Sequence, residues 1–155
     1  MIRNQWTIRN SVSTSGIGLH TGVDSTITFK PAPENYGIRF VRTDIPNFPE
    51  IKVDIDSVVD ISRGTTIEEK GVRIHTVEHA LAAVSGLRID NVLIELSSKE
   101  PPVMDGSAKD FVACLHNAGF VEQSSPRKVL NITDVVNYSD SEREIDIHVI
   151  PSDRF

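Results

Sequence analysis

Glu78 and His79 stand side by side in the stretch "HTVEHALAAVSG", residues 75–86. A carboxylate can accept a proton near neutral pH, and an imidazole can do that or bind a transition metal. Neighbours on a helix are about 100° apart around its axis, so the two do not form the i, i+4 face of a metal pair. At the first turn of a helix, however, both lean toward one point beyond its end. The positive end of the helix dipole there favours an ionised carboxylate and a neutral imidazole, the forms needed for a base and a ligand. The pair also suits a plainer role, a glutamate that complements the dipole beside a solvated histidine, and spacing alone favours that plainer role.

The other histidines are His20, His75, His116 and His148. His20 lies in "SGIGLHTG", but Gly16, Gly18 and Gly22 miss the G-x-G-x-x-G spacing by one residue and β alternation follows instead of a helix, which excludes a dinucleotide fingerprint. His20 then reads as a turn residue or a site residue. His75 ends a strand directly before the helix, His116 sits where a surface histidine would complement the end of a second helix, and His148 alternates with Ile147 and Val149 on the polar face of a strand. Asp105 in "VMDGSA" precedes that second helix, either as a local turn former or as part of a pocket on which two helix-entering loops converge. A catalytic zinc typically needs three protein ligands and an open position, so any metal site here is incomplete. No G-x-S-x-G elbow supports a serine hydrolase.

These residues need elements to hold them. Val23, Ile27 and Phe29 alternate with Asp24, Thr26 and Thr28, and Ile51, Val53 and Ile55 with Lys52 and Asp54, the pattern of half-buried strands. The clusters "HTG", "PAPENYG" and "DIPNFPE" break them as turns. "TTIEEKGVRI" predicts a hairpin turning through Glu69, Lys70 and Gly71. From Thr76 the period becomes helical through Val77, Leu81 and Val84, with Thr76 as N-cap and Gly86 as stop. "RIDNVLIELSS" returns to a strand, which Leu93 suggests is buried on both faces. A second helix follows, with Ser107 and Asp110 as a capping pair, Phe111, Cys114, Leu115 and Ala118 as the apolar stripe, and Gly119 at its end. "EQSSPRK" suits a linker, after which "VLNI" and "EIDIHVI" read as strands. The fold expected is α+β, a two-layer sandwich of a mainly antiparallel sheet with two helices. The first domain is expected over residues 1–125, and a linker with the incomplete start of a second, similar domain over residues 126–155.

At 155 residues the chain is long enough to bury ~70% of the surface its unfolded form exposes. No apolar run approaches the ~20 residues of a membrane span, and the opening "MIRNQWTIRN" has no apolar stretch of a secretory signal. Cys114 is the only cysteine, which precludes an intramolecular disulfide and fits a cytoplasmic location. A net charge of -6 argues against a general nucleic-acid binder.

Three stretches taken together, "GIGLHTG", "TVEHALAAVSGLRIDNVLIEL" and "EPPVMDGSAKDFV", in that order and at these separations, resemble the amino-terminal half of the UDP-3-O-acyl-N-acetylglucosamine deacetylases of lipid A biosynthesis. The resemblance covers essentially the whole chain. It implies two similar α+β domains whose helices are sandwiched between their sheets, with the active site between the domains. It implies zinc-dependent hydrolysis of the substrate's acetamide, giving acetate and a free amine. Carried over to this chain, His79 matches the first zinc (Zn2+) ligand, Glu78 the general base, His20 a residue lining the substrate site, and Asp105 a motif near that site. The remaining zinc ligands and a further catalytic histidine are implied in the second half, so this chain is expected to be a fragment inactive alone. Its expected partners are a UDP-sugar acyl substrate and the second domain of the same enzyme. Two alternatives stay open: a non-catalytic α+β binding module, and part of a deacetylase fused to a hydroxyacyl-carrier-protein dehydratase.

Overall fold

A computed structural model describes residues 4–47 and 49–152. The first three residues of the opening stretch, Phe48 of the "DIPNFPE" turn and the last three residues lie outside the described ones.

The fold is α+β. Its main sheet has five strands in the order β2 (Val12–Ile17), β3 (Asp24–Pro31), β9 (Val92–Leu96), β4 (Ile38–Arg42) and β5 (Glu50–Lys52). All neighbours are antiparallel except β4 and β9, which run parallel. The period-two pattern puts Ile27 and Phe29 of β3, Phe40 of β4, Ile51 of β5 and Ile94 and Leu96 of β9 into one core, all fully buried. Helices α1 (Glu78–Gly86) and α2 (Lys109–Ala118) pack on each other and close that core with Ala80, Ala83, Val84, Phe111 and Leu115. Phe111 meets Phe29 edge to face, ring centroids 6.3 Å apart.

A three-stranded antiparallel sheet of β6 (Val58–Asp60), β7 (Thr66–Glu69) and β8 (Val72–Ile74) lies between β5 and α1 in the chain. The predicted hairpin is β7–β8, turned at Lys70 and Gly71. Strand β1 (Asn4–Ile8) pairs with β10 (Phe120–Pro126), so "EQSSP" is a strand where its polarity predicts a linker. The reason is a set of buried amides. Asn91 donates to Gln5 Oε1 at 2.8 Å and Gln123 Oε1 at 2.7 Å and accepts from the Gly37 N–H at 2.8 Å, holding β10 by polar bonds that leave no apolar signature.

Four further expectations change. Ile55 is exposed, because the chain leaves β5 at Lys52 and enters a 3-10 turn at Ile55–Ser57. Leu93 is only half-buried: β9 is central, but the helices cover one face alone. The stretch "VLNI" forms no strand, and Val129 and Leu130 are exposed; the strands after it are β11 (Val136–Asp140) and β12 (Ile145–Val149), paired antiparallel. Gly86 is the last residue of α1, and Arg88, at φ +59°, takes the left-handed position expected of a glycine stop. Among the described residues no helix is long and apolar enough to cross a membrane.

Candidate functional site

Between β8 and α1 three residues turn the chain, and they set the direction of everything after them. The His75 N–H donates to the Lys99 carbonyl at 2.9 Å, and the Val77 N–H to the Thr65 carbonyl at 3.2 Å, with the Val77 side chain fully buried. Thr76 between them has φ +55°, an uncommon conformation for a β-branched residue. It is not the predicted N-cap: its buried hydroxyl donates to Glu100 Oε1 at 2.7 Å, and Val77 precedes the helix without a side-chain cap.

Glu78 therefore opens α1, and the backbone that meets it comes from the loop before β7. Its Oε2 accepts the Thr65 N–H at 2.8 Å, while Oε1 has no donor among the described residues. Gly64 crowds that second oxygen; it has φ +145°, and a Cβ built there would lie 2.9 Å from Oε1. Both features call for glycine. His79 is half-buried, and its imidazole makes no hydrogen bond among the described residues.

The same loop reaches His20, whose Nε2–H donates to the Arg63 carbonyl at 3.0 Å. Arg63, Gly64 and Thr65 thus touch the two sequence-predicted residues His20 and Glu78 in succession. The cleft beside them has a volume of about 430 Å³, and its walls include His20, Arg63, Gly64, His75, Thr76 and Lys99. Glu78 and His79 do not line it; Gly64 and Thr76 stand between. Burial first, then Lys99, with Arg73 and Arg42 adding, holds the His75 imidazole below its ordinary value against the opposing pull of Glu100. His75 Nδ1 lies 3.1 Å from the Thr66 hydroxyl.

Asp105 is placed elsewhere. It accepts the Ser107 N–H at 2.9 Å and the Ser107 hydroxyl at 2.7 Å, bonds that hold its carboxyl below the usual range. Ser107 in turn accepts the Lys109 N–H at 3.1 Å, in place of the predicted pairing with Asp110. Asp105 lines a separate open groove with Gly16, Ile17 and Met104, not the His20 cleft, and the connection between the two runs along β2, where the Val103 N–H donates to the Ile17 carbonyl at 2.9 Å.

The sequence pointed to no role for Glu100 or the loop of Arg63 to Thr65, and for Thr76 only to that of a helix cap. Their contacts span 13 to 80 residues of chain, and only the glycine of "SRGTT" hints at a close approach. The donor set for a metal is likewise partial. Among the described residues no group of three or more histidine, cysteine, aspartate or glutamate side chains could hold an ion. A half-buried imidazole without a partner at a helix start, as at His79, fits one ligand of a shared site.

The chain is 52% identical over all of its length to the bifunctional enzyme LpxC/FabZ of Chlorobaculum tepidum, covering 33% of that protein. It is 43% identical over 95% of its length to the UDP-3-O-acyl-N-acetylglucosamine deacetylase of Bdellovibrio bacteriovorus, covering 48% of it, and 40% identical over 97% to the bifunctional enzyme LpxC/FabZ of Bacteroides thetaiotaomicron, covering 33%. It spans a third to a half of these relatives. Residues 5–155 match the family described as LpxC: UDP-3-O-acyl N-acetylglycosamine deacetylase, and the chain belongs to that family.

Proposed function

We propose that the full-length protein hydrolyses the acetamide of a UDP-3-O-acyl-N-acetylglucosamine in a zinc-dependent reaction that yields acetate and a free amine. Family membership supports the reaction class. The observation that carries the residue roles is the setting of Glu78: a carboxylate at a helix start, one oxygen tied to the Thr65 N–H and the other without a donor among the described residues. The tied oxygen fixes the rotamer and the second is left to take a proton. Glu78 Oε1 removes the proton of the attacking water and returns it to the leaving amine. His79, next in the chain and at the same helix end, is the metal ligand this chain contributes. The zinc, when bound, supplies a Lewis acid that polarises the amide and acidifies water.

His20 is the substrate contact in this reading, its ring held by the Arg63 carbonyl in the wall of a cleft that Arg63 and Lys99 line together with Asp60. Asp105 is a lesser contact at the groove along β2, its carboxylate fixed by Ser107. The remaining ligands and the second wall of the site belong to the part of the enzyme beyond this chain, so the chain alone is inactive. The single cysteine supports a cytoplasmic location.

The test is acetate release from a UDP-3-O-acyl-N-acetylglucosamine by the full-length protein. Chelation should abolish it and added zinc restore it; turnover that survives complete chelation would refute the reading. A second reading adds to this one. Because two relatives at 52% and 40% identity carry the name bifunctional enzyme LpxC/FabZ, the full-length protein is proposed to be such a fusion. The intact mass of the native protein decides: a product near twice the length of this chain excludes it.

A further inference from the structure

Glu100 is a fully buried carboxylate that the reaction as described does not use. It has no cationic partner among the described residues. Three donors converge on it instead: the His20 N–H, shared between both oxygens at 3.2 and 3.1 Å, the Thr21 N–H at 2.9 Å, and the Thr76 hydroxyl at 2.7 Å. Burial pushes the carboxyl up, yet the bonds from Thr76, Thr21 and His20 outweigh it and leave Glu100 below the usual value.

We propose that Glu100 is a positioning residue whose carboxylate locks the His20 turn onto the start of α1, so that His20 and Glu78 are held in fixed relation across the Arg63–Thr65 loop. This deepens the proposed deacetylase reading and rests on it. The His20 and Thr21 N–H groups can only donate, so each needs an acceptor oxygen; a glutamine would keep one oxygen for them but would lose the charge and turn its N–H toward Thr76 and the side on which the His20 N–H is shared. The backbone is shaped for the contact. A Cβ at Gly18 would lie 2.6 Å from Glu100 Oε2 and 2.4 Å from Thr21 Oγ1, so the turn approaches the carboxylate as closely as a glycine permits. On the other side, the same carboxylate holds Thr76 in its left-handed conformation, which persists only where neighbours enforce it. Thr76 lies two residues before the base and three before the metal ligand. One buried charge thereby sets both the substrate turn and the direction in which the catalytic pair leaves β8.

The test uses the full-length protein, with Glu100→Gln and the milder Thr76→Val, which keeps the carboxylate and removes one donor. Glu100→Gln should lower kcat/KM about 10- to 100-fold, the worth of hydrogen bonds to a charged group. In the His20→Ala background the same change should cost clearly less than in the wild type, because the share of its effect that acts through His20 is already lost while the share through Thr76 remains. Histidine-selective nitrogen-15 spectra without substrate form a separate arm: the His20 amide and ring signals should move in Glu100→Gln and, less, in Thr76→Val. If the wild type fails to deacetylate, the functional reading falls while the spectra still decide the positioning role. Unmoved His20 signals, or losses that multiply independently of His20, would overturn it. Should Glu100→Gln not fold, Thr76→Val carries both arms with the same criteria.

Discussion

Glu78 depends on a glycine 14 positions away in the chain, since any side chain at Gly64 would meet Glu78 Oε1, the oxygen proposed to take the proton. Gly64→Ala should therefore reduce deacetylation by the full-length protein at least about tenfold, through displacement of the base by a few tenths of an ångström or more. Steady-state kinetics check this, with zinc content expected to stay the same. At this scale the sequence shows the candidate pair Glu78 and His79 but not its setting. The adjacent glutamate and histidine at a helix start are visible because helical periodicity is local, but spacing alone favours a plain dipole-complementing role and the catalytic reading comes from the family resemblance. The Thr65 N–H, the Arg63 carbonyl and the Glu100 carboxylate are not visible, because backbone groups carry no sequence signal and a glutamate before two prolines looks like surface. Asp105 is the opposite case: its motif is conspicuous, and its turn with Ser107 satisfies the carboxylate locally, away from the His20 cleft.

Elements with a strong apolar period were readable in the sequence. β3, β9, the β7–β8 hairpin and both helices appear where alternation or helical spacing places them, because one face of each must be buried. Those held by polar bonds were not. β10 rests on the Asn91 and Gln123 amides, while Val129 and Leu130 look like a strand yet lie exposed. The core that sets α1 and α2 on the sheet is centred on Phe111 against Phe29. Phe111→Ala should cost about 3–5 kcal/mol of stability, read from the urea midpoint, by leaving a cavity the rigid sheet cannot close. A loss under about 1 kcal/mol would mean that α2 does not clamp the sheet.

Across the whole molecule, charge and the β11–β12 hairpin matter most. Asp44, bonded by the Arg42 guanidinium, and Glu100 both lie below their usual values. A depressed carboxylate stabilises the fold above its unfolded value, near 4, and that contribution is lost as pH falls through the folded value. Stability should thus decline as pH drops below about 4, and Glu100→Gln should flatten part of that slope in pH-dependent urea melts. The β11–β12 pairing puts Val136, Tyr138, Ile147 and Val149 on one face, all exposed, with Asn137, Ser139, Asp146 and His148 on the other. We take this hairpin as the start of a second α+β domain, whose core would cover the apolar face. With His79 as the one ligand proposed for this chain, calorimetric titration of the 155-residue chain with zinc should show no nanomolar site. Such a site would contradict the division of ligands between two domains.

The most direct measurement is the rate of acetate release by full-length Glu78→Gln, with bound zinc assayed on the same sample. Full zinc occupancy is expected, with a rate lower by about 10²- to 10⁴-fold, the usual worth of a positioned general base. A variant that keeps its zinc and turns over at the wild-type rate would contradict the assignment of Glu78 as the base.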